Sequence, residues 1–428
     1  MLHDVTRHVL DNGLVVLLKE VHSAPIISWR VFYRVGSRNE QTGQTGISHW
    51  VEHMMFKGTP RFPAGELDKE IERNGGTWNA QTSFDYTAYF ETLPADRIQL
   101  ALEIEADRMV NAIFDAEETE SERTVIISER QGSENSPFFW LSEEVQAMAF
   151  RVHPYHHTII GDMADLHTIT QADLYNHYRR HYVPNNAIAV AVGDFDSAQM
   201  LDQINAHYGQ IPAGASAAPV LREEPPQTGE RRVDVRRPGS VPILEVLYRA
   251  PAVSHPDWFK LAALDSILGG PSGPGGGNID NKTSRLYRGL IETGVAAAAY
   301  GNLEMTKDPF GYGLVVVVRE GSSLEAAEAA LDRVLEELQT RPITQAELDK
   351  AKKQARAAFA YATEGASGQA HWLGFAEMLD HYTLFTEFVQ RLEAVTLEDV
   401  QAVAAQYFDP TQRTVGRFIP VEATDDDE

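Results

Sequence analysis

Thr170-Gln171-Ala172-Asp173-Leu174 leads to Tyr182-Val183-Pro184 and then to the apolar run 187–192. The same order returns at the same spacing as Thr396-Leu397-Glu398-Asp399-Val400, Phe408-Asp409-Pro410 and the run 414–418. Earlier in each half, the apolar stretch 29–35 has a counterpart in 244–250, each followed by a loop and a helix-like segment. Several elements matched in one order mark a diverged internal repeat. Strand-like runs mixed with helical periodicities then predict an α+β protein of two tandem homologous domains, each a mainly antiparallel sheet packed against helices. The stretch 212–229 is soft, polar and rich in proline, as linkers are, and places the boundary near residue 225. The expected domains are therefore 1–225 and 226–428.

At 428 residues, two or more cores are expected, and 43% hydrophobic residues suffice to fill them. No apolar run reaches the length of a membrane span. The first residues lack the basic and then apolar pattern of a secretory leader, which points to the cytoplasm, or to the periplasm if a leader has been removed. The chain has no cysteine, so disulfides, thiol nucleophiles and thiolate metal sites are excluded. A net charge of -25 argues against nucleic acid and anionic membranes as partners, and favours cationic peptides or a basic protein.

The first half carries the chemistry. A polar, glycine-bearing loop, 36–46, delivers the chain into His49-Trp50-Val51-Glu52-His53. On a helix the two histidines are one turn apart and leave the same face about 6 Å from each other, which suits two ligands of one zinc ion. Glu52 can hold a metal-bound water without binding the metal, as a general base. The order His-x-x-Glu-His reverses the common zinc-peptidase motif and is the inverzincin signature. A third ligand is needed. Glu122 and Glu129 lie two helical turns apart on one face of a later helix, and either could reach the metal.

These residues together resemble the pitrilysin family of zinc metallopeptidases, which includes insulin-degrading enzyme and the mitochondrial processing peptidase. The resemblance runs through Asn79-Ala80-Gln81-Thr82, Asp85-Tyr86-Thr87-Ala88-Tyr89, Pro184-Asn185-Asn186 and Gly193-Asp194, and so covers nearly the whole chain. It implies Glu129 as third zinc ligand, Glu122 as the acid that holds the site from behind, and Glu52 as base. It also implies that Asn79, Ala80 and Gln81 lie on an edge strand that binds peptide substrates by strand addition. The length resembles the short branch of the family, whose subunits pair into a closed chamber.

The second half departs from the family. Its helix 258–270 contains no histidine. Ile291 stands where catalytically complete members have an Arg, and Ala297 where they have a Tyr; Arg288 and Tyr300 are nearby but out of register. The resemblance therefore implies a heterodimer in which a homologous partner subunit supplies the Arg/Tyr pair. The glycine-rich stretch 269–277 resembles the mobile loop of processing-peptidase subunits and lacks the Gly-Lys-Ser/Thr ending of a phosphate loop. In His153-Pro154-Tyr155-His156-His157, Pro154 breaks the helical spacing that a metal cluster would use, and the resemblance implies a structural loop there. The expected function is zinc-dependent endopeptidase action on unfolded peptides of modest size. A presequence-processing subunit is the alternative within the enzyme class, and a non-catalytic structural subunit the alternative outside it.

Overall fold

The computed structural model describes residues 4–215, 219–271 and 281–422. Two compact units are present. One comprises Met1–Gln131, His157–Arg222 and Thr363–Thr386; the other comprises Gly132–His156, Glu223–Ala362 and Glu387–Glu428. The helices that matter below are, in chain order, α1 (Ile47–Met54), α2 (Ile98–Asn111), α3 (Ala116–Glu134), α4 (Pro137–Ala149), α5 (Gln171–His181), α6 (Asp257–Leu268), α7 (Ala366–Leu379) and α8 (Leu397–Tyr407).

The first unit is built on six strands, β1 (Thr6–Val9), β2 (Val15–Glu20), β3 (Ile26–Tyr33), β4 (Thr77–Thr82), β5 (Thr87–Pro94) and β6 (Ala187–Gly193). Their order is β1-β2-β6-β3-β5-β4. Only the β2–β6 pair is parallel. All seven residues of β6 are buried, as expected for a small, apolar strand covered on both faces. Alternation along β3 divides its side chains between two layers. Ile27, Trp29, Val31 and Tyr33 join Trp50, Val51 and Met54 of α1 in the main core. On the other face Arg30 donates to Ser367 Oγ at 2.8 Å, and Phe32 packs on α7. Gly374 makes that contact possible: a Cβ there would lie 2.1 Å from the Phe32 ring.

The second unit holds β7 (Arg231–Pro238), β8 (Ile243–Ala250), β9 (Ala296–Leu303), β10 (Phe310–Val318) and β11 (Arg413–Val421). Their order is β7-β11-β8-β10-β9, with only β7–β11 parallel. Leu141 and Val145 of α4 seat on β11 at Gly416, where a Cβ would come within 2.2 Å of Val145.

The repeat is realised in the same order in both units. Thr170 and Thr396 each head a helix, α5 and α8, and each forms a reciprocal cap with the aspartate three residues on. A proline-led turn and then β6 or β11 follow. The division into units differs from a single cut near 225. The chain does cross between units at 222/223, but 132–156 belongs with the later half and 363–386 with the earlier one. The physical reason is packing: each exchanged helix covers one face of a sheet, and Gly416 and Gly374 are the notches that admit it. Among the described residues, no helix is long and apolar enough to cross a membrane.

Candidate metal centre

Gly46, at φ +86°, turns the loop into α1 and cannot cap the helix with a side chain. Glu40 does so instead. Its carboxylate accepts from the Gly46 and Ser48 N–H groups, both at 2.8 Å, and thereby satisfies two of the free donors at the helix start. Burial pushes the Glu40 carboxyl up to about 8, against the pull of those N–H bonds. With Trp50, Val51 and Met54 turned into the core, His49 and His53 are left half-buried one turn apart, ring centroids 4.7 Å from each other.

α3 brings its two acids to these histidines in different ways. Glu129 Oε2 lies 3.6 Å from His53 Nε2 and 3.9 Å from His49 Nε2. Glu122 Oε2 lies 2.9 Å from His53 Nδ1, on the opposite side of the ring. A four-coordinate zinc with bonds of about 2.0–2.1 Å spans ligand pairs about 3.3 Å apart. The Glu129 separations are a small side-chain adjustment from that, whereas Glu122 is placed to receive the ring's other N–H and so leave Nε2 free for a metal. Among the described residues, His49, His53 and Glu129 are the group able to hold a metal ion, their ligand atoms all within 4.8 Å of one another. Burial, aided by the neighbouring His53, brings the His49 imidazole down to about 4, which keeps it in the neutral, ligating form. The Glu129 side chain is 45% exposed, so one side of the group is open to solvent. Two imidazoles and a carboxylate with an open side are the donor set of a catalytic zinc.

Lys57 was not anticipated from the sequence. Its ammonium pairs with Glu122 Oε1 and lies 3.4 Å from Glu118. Burial raises the Glu122 carboxyl, but the bonds from Lys57 and His53 outweigh it and hold the group below its usual value. Lys57 follows His53 by one turn, a spacing that could have signalled the contact.

Glu52 is 9% exposed and is not one of the three grouped residues. Burial raises its carboxyl, and a 2.6 Å bond from Thr82 Oγ1 partly offsets the rise. Thr82 ends β4, the edge strand on which Asn79, Ala80 and Gln81 also lie, paired with Phe90, Tyr89 and Ala88 of β5. Among the described residues, the far edge of β4 has no neighbour in the sheet. There the Ala80 N–H donates to its neighbour's side chain, Asn79 Oδ1, at 2.8 Å in an exposed bond, while Gln81 donates to the Tyr86 hydroxyl. Behind the strand sits a wholly buried charge cluster. Arg108 pairs with Glu105, lies 3.5 Å from Glu91, and stacks 4.4 Å from the Tyr89 ring centroid. Burial, reinforced by the negative Glu105, holds the Glu91 carboxyl well above its usual value. The inward phase of β5, shared by Thr87, Tyr89, Glu91 and Leu93, was the available clue to Glu91.

In the second unit, α6 carries no histidine. Ile291 ends a short π-helical turn, and Ala297 falls at a break in the β9–β10 register. Arg285 is held by Glu347 at 3.0 Å, and Tyr300 pairs across β9–β10 with Val315. The glycine-rich stretch lies, from residue 272 on, outside the described residues. In the loop after α4, His153 is taken up by Asp308 at 3.0 Å. His157 lies 3.1 Å from Thr158 O and 3.7 Å from Glu40.

Residues 15–163 match the profile described as insulinase, peptidase family M16, and residues 168–355 match the one described as the peptidase M16 inactive domain. The zinc protease PqqE of Helicobacter pylori is 32% identical over 414 residues, covering 95% of this chain and 90% of that protein. The beta subunit of the mitochondrial-processing peptidase of Blastocladiella emersonii is 26% identical over 428 residues, covering 99% and 90%. The crystal structure of a protease from Helicobacter pylori superposes with a TM-score of 0.92 at 31% identity, covering 97% of this chain and 99% of that one. With these two profiles matched in turn along the chain and a relative 32% identical over 95% of it, the chain belongs to the insulinase family of peptidases, family M16.

Proposed function

We propose that the chain is a zinc-dependent endopeptidase. The observation that carries this reading is the meeting of His49, His53 and Glu129 within 4.8 Å, next to a buried carboxylate, Glu52, that is not one of the three. His49 Nε2, His53 Nε2 and a Glu129 oxygen would hold the metal, which supplies Lewis-acid polarisation of a carbonyl and a water of lowered pKa. Glu122 takes the N–H of His53 and fixes its tautomer. Glu52 takes the proton of the attacking water and passes it to the leaving amine. Burial raises its carboxyl, which makes Glu52 a stronger base than a solvated glutamate and better able to take that proton. Thr82 aims the Glu52 carboxylate. A peptide added along the free edge of β4 would set its carbonyl beside these groups through main-chain bonds to the segment of Asn79, Ala80 and Gln81.

Ile291 and Ala297 favour a heterodimer in which a homologous subunit supplies an Arg and a Tyr toward the substrate. The net charge of -25 favours basic or amphipathic peptides of modest size. Similarity to a processing-peptidase beta subunit supports a second reading, single-site removal of a presequence. Many cuts in an unrelated peptide support degradation, and one cut supports processing. Glu52→Gln tests the central reading: zinc binding within about two-fold of wild type, with kcat/KM down about 10²–10⁴-fold. Undiminished cleavage removes Glu52 as the base.

A further inference from the structure

Glu129 has no partner among the described residues other than the two histidines, and its side chain is half exposed. How far its carboxylate must adjust to reach a metal is therefore set by where the backbone of α3 lies. The metal group then depends on how α3 is held against α1, and a continuous link between the two helices is present in the first unit.

The link starts beside Glu129. Arg130, 5% exposed, donates through Nη1 to Gly161 O at 2.6 Å. Gly161, at φ +83°, presses on the start of α1 so closely that a Cβ would lie 2.3 Å from Thr45 O and 2.4 Å from Gly46 N. Gly46 is equally confined, since its Cβ would lie 2.4 Å from Ile160 O. Thr45 closes the link from the other side. Its N–H and hydroxyl donate to Asp165 Oδ2 at 2.9 and 2.7 Å, and its Oγ1 accepts from the Asp162 N–H at 2.8 Å. Side chain, loop backbone and helix start thus form one buried chain of contacts from Glu129 to His49.

We propose that Arg130 is a positioning residue for the metal: it fixes, through Gly161 and Thr45, the placement of Glu129 relative to His49 and His53. This rests on the zinc reading above. Metal–ligand distances tolerate only about 0.2 Å, so a sub-ångström drift of α3 against α1 degrades the group without unfolding either helix.

The test uses the full chain stripped of metal. Zinc affinity is measured by competition with a chromophoric chelator, and the visible spectrum is recorded after cobalt(II) loading. Arg130→Ala is expected to weaken zinc about 10–100-fold and to alter the cobalt bands, while Arg130→Lys, which keeps a donor, recovers most of both. Thr45→Val and Asp165→Ala cut the far end of the link and should weaken zinc in the same direction; they decide the matter if Arg130→Ala does not fold. Affinities within two-fold of wild type and unchanged cobalt bands in folded link variants overturn the proposal. A wild-type chain that binds no zinc, or a His49→Ala variant that binds it as well, instead overturns the zinc reading.

Discussion

The two halves share a scaffold and differ in chemistry. α1 and α6 each follow a central strand, β3 being third from the β4 edge of its sheet and β8 third from the β9 edge of its own. α1 carries two histidines and a buried glutamate on a helix of eight residues; α6, of twelve, is filled with Trp258, Phe259, Leu261, Leu264 and Leu268. α1 is capped from a distance by Glu40 and so can begin with glycine, close against a loop. α6 needs no such approach. The difference teaches that one packing frame tolerates a polar site only where extra carboxylates and bonds hold the polar helix in place.

Substitutions that touch the metal group should separate the halves most. Glu122→Gln is expected to weaken zinc about 10–100-fold, whereas Glu347→Gln, which also removes a well-held carboxylate, should leave zinc affinity unchanged. Equal losses in a chelator competition would break the comparison. Ala80→Pro removes an edge donor from β4 and should raise KM by about 2–10-fold with kcat less affected, the worth of a lost hydrogen bond. Steady-state kinetics on a peptide long enough to lie along the strand provide the check. The caps should show the halves alike: Thr170→Ala and Thr396→Ala should each destabilise by about 1 kcal/mol in denaturant titrations. A large inequality would mean that the repeat is alike in outline only.

The smallest effect is one of slope. Glu91 in the first unit has its folded value raised, so the unfolded chain ionises first and stability falls as pH climbs from about 4.5 toward that higher value. Glu347 in the second has its folded value brought down to about 2; burial opposes this, and Arg285 and Thr344 outweigh it. Its contribution is present above about 4.5 and is lost as pH falls toward 2. Melting temperature against pH should flatten on the alkaline side in Glu91→Gln and on the acid side in Glu347→Gln.

Much of this was legible in the chain. Period-two and helical patterns gave the strands and helices around the site, because burial on one face writes itself into local sequence. His49, Glu52 and His53 were legible because one helical turn fixes their spacing. The choice between Glu122 and Glu129 was not, since two turns of helix put both on one face and only the tilt of α3 decides which nitrogen each meets. Thr82, Glu40 and Arg130 escaped for the same reason: each acts on a residue distant in sequence. The exchange of α4 and α7 was equally hidden, because a glycine notch such as Gly374 has no signature until its Phe32 is in place.

That exchange bears on how the protein comes into being. On the ribosome, the strands and metal-binding helices of the first unit emerge early, yet α7, which covers Arg30 and Phe32, is made only when most of the chain has been synthesised. The nascent first half must wait with one face of its sheet uncovered, a state prone to chaperone capture or aggregation. Fragments cut at the linker would each lack a helix, so the halves are expected to be expressible together and not apart.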